Sequence, residues 1–316
     1  MKKNIYFLGL LLLAACANDD EPTGQQVQNT YPLTIEVTEN PLIPDGEEGS
    51  STRAAITTIS TLTTFYLNYQ YNSVYSEYDN KQSITNASGT WNGGSWPSDV
   101  REGDPDVNVT WYAYTGGTFN WTENNPKEPY VSFTVEELAT NQKDLLVAKL
   151  TNKTWNNCGG NLNFTFDHAC AALRFYVKKA SNISSNTLSV SSVVLRHVAK
   201  QGNYYFNAMA WTPITTDASD FTDYTLYSGS DKSITSSYTC LNGTNEDNSY
   251  LFLIPQELKG DVSSGTYVEI AWKSNYSSNA TSGIARISLS KVLKKGYKYD
   301  VKINIGTTTL TTYSVL

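Results

Sequence analysis

Residues 297–305 are Tyr-Lys-Tyr-Asp-Val-Lys-Ile-Asn-Ile, and this stretch indicates the fold class most clearly. Apolar and aromatic side chains occupy every second position, and the residues between them are charged or polar. Because successive side chains of a β-strand point to opposite faces, this alternation predicts a strand with one face in the core and one face in water.

Further strand-like runs extend along the rest of the chain. Seven precede a polar break at residues 180–187, and seven, including the stretch above, follow it. They lie at 56–69, 81–85, 107–114, 130–135, 144–150, 162–166 and 173–178, and at 190–198, 204–206, 221–227, 250–254, 267–273, 284–289 and 297–305. We expect one helical turn at residues 167–172. Two sets of seven strands predict an all-β protein with two β-sandwiches in series, at residues 54–180 and 181–316.

The composition supports an extracellular β-protein. Charged residues make up only 17% of the chain and tyrosines number 22, whereas a typical protein has about 25% charged residues. With 23 basic and 30 acidic residues and a net charge of −7, the chain lacks the cationic field that nucleic-acid binding requires. No nucleic-acid partner is expected.

The first fifteen residues are interpreted as a lipoprotein signal peptide. Lys2 and Lys3 precede an apolar run that is too short to span a bilayer as a permanent helix. The run ends in Leu-Ala-Ala before Cys16, which resembles a bacterial lipobox. Cleavage there would leave Cys16 to carry a lipid, so we expect an anchor in the outer membrane and a tether over residues 17–30.

Residues 16–53 form an acidic N-terminal extension. Leu33, Ile35 and Val37 fall on one face of a short strand pattern that is isolated from the others. Arg53 then precedes Ala54 in a polar stretch that should be exposed to proteases, although an uncut arginine remains an alternative. Residues 1–53 hold eight acidic and three basic residues, so their removal would change the net charge from −7 to about −2.

The remaining cysteines and the histidines show no spacing typical of a metal site. Cys158, Cys170 and Cys240 permit one disulfide, and sequence alone leaves all three pairings open. His168 stands near Cys170, but no second pair of ligands accompanies them. No hydrolase, zinc-protease or phosphate-binding motif occurs. We therefore expect no enzyme activity, no metal and no cofactor.

Three tryptophans raise an alternative function. Trp91, Trp96 and Trp121 lie in polar segments, where exposed indole rings would stack on sugars of host or bacterial surfaces. The alternative is that Trp91 and Trp96 are core residues that cap the first sandwich.

In order and spacing, several segments resemble those of the fimbrillin family, which includes Mfa-like subunits of type V pili. The resemblance covers nearly the whole mature chain. Its segments are the lipobox at Cys16, Thr52-Arg53-Ala54, 142–149, 162–168, 171–177, 250–256 and 295–301.

The resemblance implies transthyretin-like sandwiches and a surface fimbria that supports adhesion. A surface arginine-specific protease would cut between Arg53 and Ala54 and remove the strand that carries Leu33, Ile35 and Val37. A terminal strand of another subunit, in a homopolymer or heteropolymer, would replace it. In this chain the donor strand would be residues 307–316, and its pocket-filling residues would be Leu310, Tyr313, Val315 and Leu316. The position in the pilus, as stalk, tip or anchor, stays open.

Overall fold

The computed structural model describes residues 31–45, 59–72, 74–76, 81–124, 126–138, 141–181, 187–212, 217–241, 250–276, 279–306 and 312–315. Cys16, Arg53, Ala54, Leu310 and Leu316 lie outside these residues. Of Tyr313 and Val315 only the backbone is described.

Strands make up most of the described chain. The strands before residue 170 are β1 Tyr31–Pro32, β2 Thr34–Glu39, β3 Ile43–Pro44, β4 Thr64–Tyr71, β5 Val74–Tyr75, β6 Gln82–Ala87, β7 Thr90–Asn92, β8 Ser95–Trp96, β9 Val109–Tyr114, β10 Thr118–Trp121, β11 Pro129–Thr134, β12 Leu146–Lys153 and β13 Asn161–His168. Two short helices accompany them, α1 Ser98–Gly103 and α2 Trp155–Cys158.

The strands after residue 170 continue the same pattern. They are β14 Ala171–Lys179, β15 Thr187–Ala199, β16 Gln201–Tyr205, β17 Ala210–Trp211, β18 Phe221–Ile234, β19 Thr239–Cys240, β20 Leu251–Leu253, β21 Glu257–Leu258, β22 Tyr267–Tyr276, β23 Asn279–Ser288, β24 Lys291–Val292, β25 Tyr297–Ile305 and β26 Thr312–Val315. The all-β class predicted from the sequence is confirmed. No helix among the described residues is both long and apolar enough to cross a membrane.

The N-terminal half forms a sheet that closes on itself. The strand order is β5-β4-β6-β7-β2-β13-β12-β9, and β9 also pairs with β4, so the sheet is barrel-like. Its interior is filled by large side chains such as Phe65, Trp111, Phe164 and Phe166, all at most 1% exposed. The first strand of this ring after Arg53 is β4, whereas β2 comes from the N-terminal extension.

The C-terminal half is a sandwich of two sheets. One sheet has the order β19-β14-β25-β26, with β20 paired to β14 and β3 to β25, and the other has the order β18-β15-β22-β23. Apolar residues of both sheets, including Phe175, Val193, Ile270 and Ile303, are fully buried in one core between them.

The pairing of strands divides the chain near residue 170 rather than at 180. We expected β14 in the first domain, but it pairs in parallel with β25 from Ala172 to Lys179. A further sheet, β10-β11-β16-β17, joins strands from both sides of that boundary. The expected helical turn at 167–172 is wrong, because β13 runs to His168 and β14 begins at Ala171, where a buried small side chain suits the sheet.

Candidate functional site

The N-terminal segment Tyr31–Asp45 contacts both halves of the molecule. β1 pairs with β8, β2 lies between β7 and β13, and β3 pairs with β25 in the C-terminal sandwich. Additional backbone hydrogen bonds run from Asn40 N to Phe166 O at 2.9 Å and from Ile43 N to Gly296 O at 2.8 Å. We call this stretch the N-terminal segment.

β2 is held unequally by its two neighbours. On one side it runs parallel to β13, with six paired positions from Thr34↔Asn161 to Glu39↔Phe166. On the other side it pairs with β7 at a single position, Ile35↔Trp91. We call the space between β7 and β13 the strand socket. Without β2, the backbone groups of β13 would form an open edge that accepts another strand.

Leu33, Ile35 and Val37 lie on one face of the N-terminal segment, which points into the barrel. Leu33 and Ile35 are each 6% exposed and Val37 is half-buried, and all three contact the barrel core. The alternate residues Thr34 and Glu36 are exposed. Burying each Leu or Ile side chain contributes roughly 1.5–3 kcal/mol, so these contacts stabilise the segment substantially.

Leu42 extends the buried contacts beyond β2. Its side chain is 4% exposed and packs in a second cluster with Tyr114, Ala172 and Phe252, which draws on both halves of the chain. The sequence pattern does not mark Leu42 as a core residue, because Leu42 lies between Pro41 and Pro44, outside the alternating stretch.

Glu39 forms a buried acid–histidine cluster with His168 and Asp144. His168 Nε2 lies 2.6 Å from Glu39 Oε1, and His168 Nδ1 contacts Asp144 Oδ2. The three side chains are 1–3% exposed. Asp144 Oδ1 also accepts a hydrogen bond from Cys170 N at 3.2 Å. Each ring nitrogen of His168 therefore contacts a carboxylate oxygen.

The two carboxylates keep His168 protonated at neutral pH. Burial lowers the pKa of the imidazole, but the hydrogen bonds and charges of Asp144 and Glu39 outweigh burial and raise it to about 9. The cluster thus holds an imidazolium between two carboxylates at pH 7.

Glu39 also connects the parts of the chain on either side of Arg53. Its Oε2 accepts a hydrogen bond from the backbone N–H of Ile59 at 2.7 Å. Asp45, at the end of the N-terminal segment, forms an ion pair with Lys291 of β24. The segment is therefore anchored by charge as well as by apolar packing.

The inward orientation of Glu39 and His168 follows from the alternation in the sequence, although their contact does not. Glu39 continues the inward face of Leu33, Ile35 and Val37, and His168 continues the inward face of Leu162, Phe164 and Phe166. The spacing in the sequence presents His168 only as a metal candidate that lacks a second pair of ligands. Among the described residues no group of three or more His, Cys, Asp or Glu side chains could hold a metal.

The candidate donor strand is seen within its own chain. β26 runs antiparallel to β25, with Tyr313 opposite Ile303 and Val315 opposite Val301. The same edge of β25 carries β3 opposite Tyr297 and Lys298. β3 of the N-terminal segment and β26 at the C-terminus thus pair with the same edge of β25.

The candidate sugar-stacking tryptophans are involved in packing. Trp96 is 2% exposed and makes edge contacts with Trp111 and Trp155, so it has no face open to a sugar and is a core residue. Trp91 packs on Phe65. Trp121 is half-buried and donates its indole N–H to Ser76 O at 2.7 Å.

No disulfide joins the three cysteines that the structure describes. Cys170 and Cys240 are buried and Cys158 is half-buried. None of the three disulfide pairings left open by the sequence is formed in the described structure.

Known proteins resemble this chain in sequence and in fold. The sequence model of the fimbrillin-like family matches residues 52–316. A fimbrial protein from Bacteroides vulgatus has a TM-score of 0.62 and 18% identity, over 90% of this chain and 97% of that chain. A candidate cell adhesion protein from Bacteroides ovatus has a TM-score of 0.50 and 13% identity, over 91% of this chain and 96% of that chain. No curated protein matches.

Proposed function

Because the chain belongs to the fimbrillin-like family, we propose that it is a structural or accessory subunit of a surface fimbria, assembled by strand exchange between subunits. The observation that carries the proposal is the position of β2 in the sequence. This strand closes the barrel, yet it precedes Arg53 in the chain. The family match begins at residue 52, beside Arg53, and leaves β2 outside.

A cut after Arg53 would separate β2 covalently from the rest of the barrel. If β2 then left, the socket would present the edge of β13 and the hydrophobic surface that Leu33 and Ile35 now cover. An extended strand of another subunit would restore both the main-chain hydrogen bonds and the apolar contacts. Residues 307–316 would supply such a strand once β26 leaves β25.

The same proposal implies that the uncut subunit is located at the outer membrane. Signal cleavage before Cys16 and lipidation of its thiol would anchor the uncut subunit in the outer membrane, where a surface arginine-specific protease reaches Arg53. The role is structural and adhesive rather than enzymatic. The alternative role in glycan binding receives no support from Trp96, which is buried, or from Trp91, which packs on Phe65.

The test is polymer formation after cleavage. Residues 17–316 are purified, treated with an arginine-specific protease and run on unheated SDS gels. We expect a ladder only after cleavage and none in Arg53→Ala. Arg53→Lys is the matched control, because it keeps the positive charge and removes only the cleavage site. A cut wild-type chain that stays monomeric, or a ladder in the uncut chain, would contradict the proposal.

A further inference from the structure

His168 lies at the end of the strand socket, where an incoming strand would have to supply a partner for its charge. Along the inward face of the socket, Ile35 pairs with Leu162, Val37 with Phe164 and Glu39 with Phe166. His168 is the next inward residue of β13, and its side chain is 1% exposed. The socket therefore combines an apolar floor with one buried cation at its end.

The charged groups around His168 are few. Glu39 from β2 and Asp144 from the residues before β12 act on it directly. Asp167 precedes it on β13 and has intermediate exposure, and its carboxylate accepts a hydrogen bond from Asn40 at 2.6 Å. Cys170, before β14, is buried, which raises its pKa well above the usual value and keeps the thiol neutral. Removal of β2 would therefore leave the imidazolium with Asp144 as its one direct carboxylate partner among the described residues.

A buried charge that loses a partner is strongly destabilising, so an occupant without a carboxylate at this position fits the socket less well. We propose that the socket selects an extended strand with apolar side chains at the positions of Leu33, Ile35 and Val37 and an Asp or Glu at that of Glu39. This inference rests on the proposed function and identifies the chemistry of its partner.

The chain's own candidate donor strand does not meet this requirement. Residues 307–316 contain threonine, leucine, tyrosine, serine and valine, and no aspartate or glutamate. The selection therefore favours a strand from a different protein over residues 307–316 of a second copy. Residues 307–316 of a second copy would still enter the socket when no such strand competes, as in the purified chain, but a strand that carries the carboxylate would displace them.

The first test measures hydrogen exchange of the Thr34–Glu39 amides in the full chain by mass spectrometry at pH 7. Glu39→Gln removes the charge but keeps an oxygen that can accept from Ile59 N–H. Glu36→Gln is the matched control, because Glu36 is exposed on the opposite face of the same strand. We expect exchange to be about 10-fold faster in Glu39→Gln than in Glu36→Gln. Equal rates would overturn the proposal.

Repeating the hydrogen-exchange comparison at higher pH distinguishes an effect of the His168 charge from an effect of packing. Above pH 9 His168 loses its proton, so the difference between Glu39→Gln and Glu36→Gln should shrink toward none. A difference that persists unchanged at pH 10 would assign the effect to packing and overturn the role of His168.

The second test uses strand peptides. A site-specific protease sequence is placed within residues 46–52, the chain is cut, and labelled peptides of residues 31–45 are offered. The natural peptide and its E36Q form should bind about 10-fold more tightly than the E39Q form at pH 7. Equal binding by all three peptides would overturn the selection. If no peptide enters, strand exchange and the proposed function fail, while the exchange measurement still decides the role of His168.

Discussion

His168 links the charge state of one buried side chain to the stability of the barrel. Its imidazolium lies between the carboxylates of Glu39 and Asp144, which come from two distant parts of the chain. The raised pKa makes the stability of the cluster dependent on pH. The contribution is fully present below the ordinary histidine pKa of 6.5 and is lost as pH rises through about 9.

We expect the free energy of unfolding to fall by about 2 kcal/mol between pH 7 and pH 9.5 in the wild-type chain. His168→Gln should be less stable at pH 7 and should show a flatter pH dependence, as measured by denaturant titration at several pH values. Thr165→Ser, on the exposed face of β13, should follow the wild-type curve. Parallel curves for His168→Gln and wild type would contradict the assignment of the charge.

At this scale the sequence allowed part of the site to be predicted. The common face of Leu33, Ile35 and Val37 follows from a local period of two, and the structure places them together. The contact of Glu39 with His168 could not be predicted, because it depends on the parallel pairing of β2 with β13, which brings together residues more than 120 positions apart.

At the scale of elements, the turn between β7 and β8 supports the N-terminal segment. Gly94 has φ +77°, and a Cβ there would lie 2.7 Å from Gln82 Oε1, 2.8 Å from Ile84 Cδ1 and 3.0 Å from Leu33 Cδ1. Gly89, in the turn between β6 and β7, has φ +88° and no atom within 4 Å of such a Cβ. The two glycines thus share a positive φ and differ in the crowding around an added Cβ.

Gly89→Ala should cost about 1 kcal/mol of stability through its positive φ alone. Gly94→Ala should cost about 1–3 kcal/mol more, because the new methyl group displaces Leu33 or Ile84. Chemical denaturation compares the two variants. Equal losses would show that Leu33 adjusts freely and that the turn does not hold the segment.

The strands themselves were largely predictable. β25 covers the same residues, 297–305, as the alternating stretch from which it was predicted. The closure of the barrel was not predictable, because it depends on backbone pairing between β4 and β9 and on a strand supplied by the extension. Local alternation determines which side chains face inward, but it carries no information about the neighbouring strand.

At the scale of the whole molecule, the two halves share structure. The sheet β10-β11-β16-β17 and the cluster that contains Leu42, Tyr114 and Phe252 include residues from both. The N-terminal segment adds β2 to the barrel and β3 to the sandwich. The halves are therefore not independent units in the uncut chain.

We expect the uncut chain to unfold in one cooperative transition. Hydrogen exchange of β9 in the barrel and β22 in the sandwich should report the same denaturant midpoint within about 10%, the usual error of such extrapolations. Two separate midpoints would show that the shared sheet and core do not couple the halves.

The two contacts of Glu39, with His168 and with the Ile59 amide, affect how quickly β2 leaves after a cut. Its carboxylate holds His168 of the barrel and the Ile59 amide beyond Arg53, so breaking the peptide bond at Arg53 removes none of these contacts. Cutting and departure of the strand would then be separate events with separate rates. Under the proposed function, subunits would accumulate in a cut but closed form, and a slow opening step rather than the supply of protease would set the pace of fimbrial growth.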